Sequence, residues 1–230
     1  MTLTDEQIQK IRRFISSRGF TQIDLQDEII DHVASSVEEK LEANPELDFD
    51  KAVKETHATF GVMGFSEMEE AFVKSAQAKM LRKIGSLLKA YFGMEKYGFG
   101  YVIFISLYFL FRQPILFEWV FYGLGTSLFL FFIVSLFRTN ITRLSKKYTA
   151  AVIYHGLINA PMFVLIQIWL QAWNFFPGLF KNPDHALAYP AFQIILPAFF
   201  TILILEVLIG TELYSDLTQR IQKMKKMERV

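Results

Sequence analysis

Cysteine is absent from the chain. Its absence excludes disulfides, cysteine-ligated zinc, iron–sulfur clusters and thiol nucleophiles together, and it is compatible with a reducing compartment. Charge is scarce in the middle, where residues 97–209 hold only six Lys or Arg and three Asp or Glu. So long a stretch with so little charge excludes a disordered chain, a collagen-like chain and an ordinary soluble globule. No P-loop, glycine-rich dinucleotide turn or Ser-His-Asp order is present, and no repeat or low-complexity segment. The start, Met1 to Glu6, is polar and acidic. A secretory signal would need a basic stretch and then an apolar run, so this part is expected to stay in the cytoplasm.

What is there is unevenly placed. Of 230 residues 52% are hydrophobic and 24 are Phe, with a mean hydropathy of +0.27. Residues 1–73 carry 7 Lys/Arg against 16 Asp/Glu, a net of −9. Residues 74–96 carry 6 against 1, and residues 210–230 carry 5 against 3. Charge therefore sits at the two ends. There is no globally basic surface of the kind nucleic acid requires, so nucleic acid is not an expected partner.

The first part reads as helices. Thr4 and Gln7 form a capping box, in which each side chain satisfies a backbone N–H of the other residue. Ile8, Ile11, Phe14 and Ile15 follow at helical spacing, and Gly19 supplies a left-handed stop. A second helix is expected from about Leu25 to Ala43, with Ile30, Val33, Ala34, Val37 and Leu41 on one face and Asn44-Pro45 ending it. Asp48 caps a short third helix carrying Phe49, Ala52, Val53, Thr56 and Phe60, closed by Gly61. Ser66 to Glu69 reads as a second capping box, opening a longer helix through Phe72, Met80 and Leu87. These residues predict an acidic helical domain that folds without the apolar part of the chain.

Four apolar segments come next, at about 94–111, 115–137, 148–173 and 187–209. The last three reach the roughly 20 residues that a bilayer crossing requires. The apolar part of the first, Tyr97–Phe111, gives only about 22 Å of helix. A kink is expected at Asn159-Pro161. Arg138, Arg143, Lys146 and Lys147 lie between the second and third segments. Lys74 to Lys89 precede the first, and Arg220 to Arg229 follow the fourth. By the positive-inside rule both termini and the central loop are cytoplasmic. The expected fold is all-α: an acidic cytosolic helical domain with a basic juxtamembrane helix (1–92), a four-helix transmembrane bundle (93–209) and a basic cytosolic C-terminal helix (210–230).

Polar residues inside apolar segments are the candidate site. His155, Asn159, Gln167 and Gln171 form a ladder along the third segment, and Glu206 and Glu118 lie in the fourth and second. Such groups are costly against lipid and should face other helices. His155 and Glu206 fall at similar depth and are expected to pair. Gly123 with Ser127, and Gly156 with Ala160, put small residues one turn apart, where helices can pack closely or a second copy can dock. On the second helix Glu28 and His32 are four apart and could share a metal, but a site needs three or four convergent ligands. No metal and no cofactor are expected.

Two family resemblances bear on this. Asp27 to His32, Val37 to Lys40, Asp48 to Ala52 and Thr59-Phe60-Gly61 resemble the permease-prefix-like, HAAS-type helical domain that precedes transmembrane helices in bacterial membrane proteins. The resemblance covers about residues 5–75. It implies a cytoplasmic signalling or regulatory module in the bacterial cytoplasmic membrane, with a transcription regulator or a permease as protein partner. His155-Gly156-Leu157-Ile158-Asn159 looks like one piece of the CAAX-protease and bacteriocin-processing family. That family implies a paired Glu-Glu and a second histidine within the membrane. Here Glu69-Glu70 lies in the soluble part, His185 lies in a loop, and Glu118 lies in the opposite leaflet.

The function these features favour is a non-catalytic signalling or regulatory membrane component, with the bilayer and a partner of the cytosolic domain as its contacts. The alternatives are a small proton- or solute-coupled transporter using Glu118, His155 and Glu206, and then an intramembrane protease-like enzyme.

Overall fold

The computed structural model describes residues 2–61, 63–138, 141–175 and 190–227. Among these residues the protein is all helical. In chain order the helices are α1 (Asp5–Ser17), α2 (Ile23–Ala43), α3 (Phe49–Thr59), α4 (Ser66–Phe92), a 3₁₀ turn (Met94–Lys96), α5 (Phe99–Phe111), α6 (Pro114–Arg138), α7 (Ile141–Ser145), α8 (Thr149–Tyr154), a π turn (His155–Asn159), α9 (Ala160–Phe175) and α10 (Pro190–Met227). The expected fourth segment begins at residues 187–189, which lie outside the described residues, as do Lys181, Asp184 and His185. The chain divides into two compact units. One is Met1–Lys79 with Thr142–Ile153, and the other is Met80–Ile141 with Tyr154–Val230.

The first unit is built on local signals. Thr4 Oγ1 accepts from Gln7 N at 3.3 Å while Gln7 Oε1 accepts from Thr4 N at 2.8 Å, so the capping box opens α1. Gly19 follows its end with φ of 97°, where a Cβ would be strained. Asp48 accepts from Lys51 N at 3.1 Å and opens α3, and Gly61, with φ of 72°, closes it. The apolar faces meet in a core of Ile11, Ile15, Leu25, Ile29, Val33, Val37, Ala52 and Phe65. Each large aliphatic side chain buried there contributes about 1.5–3 kcal/mol. Two expectations need correction. α2 starts at Ile23 rather than Leu25. Ser66 is the first residue of α4 and not its cap, because Phe65 is drawn into the core and Glu69 N bonds Phe65 O at 3.0 Å.

His57 lies edge-on between Phe14 and Phe65, with ring centroids 5.3 and 4.9 Å away. Burial, and then the charge of Arg18, hold its pKa below the ordinary 6.5. The unfolded chain therefore takes up the proton more readily than the fold. Stability is full above about pH 6.5 and falls as pH drops from there toward the lower native value. Wild-type protein should lose more thermal stability between about pH 7.5 and 5.5 than His57→Phe does. Equal losses would show that His57 does not set the acid sensitivity.

The 142–153 segment belongs to the same unit. Ile23 N donates to Lys147 O at 2.8 Å. The Asp24 carboxylate accepts from Thr149 N at 2.8 Å and from Ala150 N at 2.9 Å, as well as from Leu25 N at 3.1 Å. Thr149 and Ala150 open α8, where helical N–H groups have no intrahelical partner. Asp24 supplies the acceptors from 125 residues away in the chain. The central loop read from its charges is thus continued by a structured part of the N-terminal unit.

Three helical stretches among the described residues are long and apolar enough to cross a membrane, Pro114–Phe137, Thr149–Ala172 and Ala191–Met224. α5 is also apolar but has only 13 residues, about 20 Å of helix. The expectation of one helix over 94–111 is corrected here. Tyr97 and Gly98 both take left-handed backbone, with φ of 52° and 61°, and separate the 3₁₀ turn from α5. Phe111 of α5, Phe117 and Phe121 of α6 and Phe200 of α10 form an aromatic core, with Phe111 stacked on Phe200 at 5.4 Å. Apolar side chains also point outward: Ile115 is 86% exposed, Trp119 78% and Phe137 81%. Exposed apolar surface on that scale marks a membrane or protein contact, and on helices of this length it is compatible with a membrane protein.

Candidate functional site

The site forms where α6, the π turn and α10 meet in the second unit. A cavity of about 90 Å³ is lined by the polar residues Ser135, Tyr154, Asn159, Glu206, Thr211 and Tyr214 and by Phe131, Phe132, Ile158, Met162 and Val207. Three local features shape it. Pro161 has no N–H to return to the preceding turn, and the chain widens into a π turn, with Ala160 N bonding His155 O. The widening rotates Asn159 inward, where it is buried. On α10, Gly210 lets the π turn approach, since a Cβ there would lie 2.9 Å from Ile158 Cγ2. The Tyr154 hydroxyl donates to Gly210 O at 2.9 Å across that contact. Glu206 faces the cavity, and its Oε2 is buried without a hydrogen-bond partner among the described residues.

The sequence-predicted residues separate. Asn159 and Glu206 come together in the cavity. His155 does not join them: it is exposed, one turn before Asn159, and the π turn breaks the ladder it was expected to start. Gln167 and Gln171 are exposed on α9, and Glu118 is exposed on α6. The small-residue pairs do not take part in close packing within the chain. Gly123, Ser127, Gly156 and Ala160 all lie on exposed faces, and a Cβ at Gly123 or Gly156 would meet nothing within 4 Å. The close approaches fall instead on Gly210 and on Gly125, where a Cβ would collide with the indole of Trp169.

Two ion pairs have no signature in the sequence. Lys83 pairs with Asp216, and Lys96 pairs with Glu212, which also accepts from the Tyr91 hydroxyl at 2.6 Å. They tie the end of α4 and the 3₁₀ turn to α10. The basic stretch by itself reads only as a topology anchor, since nothing local marks partners over a hundred residues away.

In the first unit Glu28 and His32 approach to 3.7 Å on α2. They lie beside a groove of about 350 Å³ whose floor includes Phe60, Met68 and Phe72, with Lys79 at its rim. Among the described residues no third His, Asp or Glu joins them. Comparison of the chain with protein-family models, with curated proteins and with solved structures finds no match.

Proposed function

We propose that the protein is a multi-pass membrane protein with both termini on the cytoplasmic side, and that its N-terminal helical unit is a non-catalytic regulatory module that binds a protein partner. The apolar helices α6, α8–α9 and α10 cross the bilayer. α5 makes a fourth, shorter crossing completed by the turn before it. The outward apolar side chains of α6 support the membrane reading, and the cationic residues around 138–147 support the orientation.

The regulatory reading is carried by one observation, the Asp24 clamp. A domain that merely hung from the membrane would have no use for a carboxylate on the first turn of an apolar helix. A partner bound to this unit can tighten or release that turn, and such a switch needs only a difference in affinity between the two arrangements. The acidic balance of residues 1–73 favours a basic partner surface, and the groove beside Glu28 and His32 offers it an apolar floor.

Topology is tested with single cysteines, which the native chain lacks. In intact cells, cysteines at Ser17, Lys146 and Ser215 should resist a membrane-impermeant thiol reagent, and one at Asn182 should react. Labelling at Lys146 would overturn the arrangement. A photo-crosslinking residue at Ser75, in the groove, should capture one defined protein in native membranes, while the same residue at exposed Lys51 should not. Failure at Ser75 with the topology intact would remove the regulatory role and leave the membrane reading standing.

A further inference from the structure

The cavity around Glu206 has a use that the regulatory reading does not supply. Glu206 is half-buried, and one of its carboxylate oxygens, Oε2, is buried without a hydrogen-bond partner among the described residues; an ionised oxygen placed so is costly, and a proton or a bound cation relieves it. Size and donor chemistry decide what fits. Sites for organic ligands usually measure about 300–1,000 Å³, well above the 90 Å³ here. By the same measure one ordered water needs about 10–15 Å³, so there is room for one small ion and a few waters.

The donors are hard oxygens: the Glu206 carboxylate, the Asn159 amide, and the hydroxyls of Ser135, Tyr154, Thr211 and Tyr214. Calcium sites usually gather several carboxylates, and magnesium sites join one or two carboxylates to retained waters or phosphates in a near-ideal octahedron; among the described residues one carboxylate lines this cavity. Among the described residues the other titratable groups lining it are Tyr154 and Tyr214, with no Lys, Arg or His. One negative charge among neutral oxygens matches one positive charge.

We propose that this cavity binds a single monovalent cation, sodium or a proton, on Glu206, with Asn159 and the hydroxyls completing the shell. The Tyr154–Gly210 bond and the π turn hold the shell together across two helices.

The full-length protein, purified in detergent, should be melted in about 100 mM sodium chloride and in the same concentration of choline chloride, at about pH 8 and 5.5. If sodium is the occupant, wild type at pH 8 melts about 3 °C higher in sodium, as a site with Kd near 10 mM would give. Glu206→Gln then melts alike in both salts, and Asn159→Ala shows a smaller sodium shift. If the proton is the occupant, the two salts are equivalent, and acidification raises the melting temperature of wild type relative to Glu206→Gln. Equilibrium binding of radioactive sodium to wild type gives a readout that needs no variant to fold. Saturable binding at one site per chain, weakened by acid, supports the sodium form. The proposal is overturned if sodium does not bind and wild type and Glu206→Gln respond identically to both salt and pH.

Discussion

Gly125→Val is expected to destabilise the protein by about 3 kcal/mol or more, whereas Gly123→Val, two residues earlier on α6, should change stability by less than about 0.5 kcal/mol. A Cβ at Gly125 would run into the indole of Trp169, and one at Gly123 would meet nothing within 4 Å. Phe121 packs beside the indole, with ring centroids 6.2 Å apart, and limits how far it can move aside. Removing the obstacle should rescue the substitution. Trp169→Ala alone costs stability by opening a cavity, but combined with Gly125→Val the loss should be smaller than the sum by about 1–3 kcal/mol. Thermal melts of the two glycine variants, Trp169→Ala and the double variant decide the matter. Equal losses at Gly123 and Gly125 would restore the small-residue pair Gly123/Ser127 as the packing element.

Asp24→Ala comes second in expected size, at about 3 kcal/mol. One half-buried carboxylate satisfies Leu25 N, Thr149 N and Ala150 N. Charge-assisted hydrogen bonds of this sort contribute about 1.5–3 kcal/mol, and helix caps about 0.5–2 kcal/mol, so the combined loss lies somewhat above that of a cap alone. Asp24→Asn keeps an acceptor oxygen and gives up the charge, and about half the loss is expected. Hydrogen exchange locates the effect: the amides of Thr149 and Ala150 should exchange faster in Asp24→Ala, while those of α3 stay protected. If Thr149 and Ala150 keep their protection, the carboxylate does not hold that turn.

Features decided within a few residues were legible in the sequence. Thr4 with Gln7, Asp48 with Lys51, and the glycine stops at 19 and 61 all act within one helical turn, and the structure has each of them. The apolar stripe of α2 needs only the helical repeat, and its Val33, Val37 and Leu41 are buried as that repeat requires. Features set by distant chain were not legible. Asp24 reads as an ordinary acidic residue in a first turn, because its partners lie 125 and 126 positions on. Tyr97 carries no sign of a left-handed backbone, though the glycine after it hints at a break.

The cavity was half legible. Glu206 stands out as an acid in an apolar run, but equal depth assigns it His155 as partner. The ladder put His155 and Asn159 on one inward stripe; the π turn ahead of Pro161 leaves Asn159 buried and His155 exposed, a change of phase that a wheel drawn at one fixed angle per residue does not contain.

The inclusion of Thr142–Ile153 in the N-terminal unit has a consequence for synthesis. α1, α2 and α3 leave the ribosome early, yet the segment that completes their unit begins at Thr142, 83 positions after α3 ends at Thr59 and after α5 and α6. At about 5–20 residues per second, Asp24 waits roughly 6–25 s for Thr149, 125 residues on, and until then it has no distant N–H to accept from. The nascent unit is therefore finished only once two apolar helices have emerged and found their place. A ribosome-bound intermediate ending near residue 100 should be more sensitive to protease in its first eighty residues than one ending beyond residue 190.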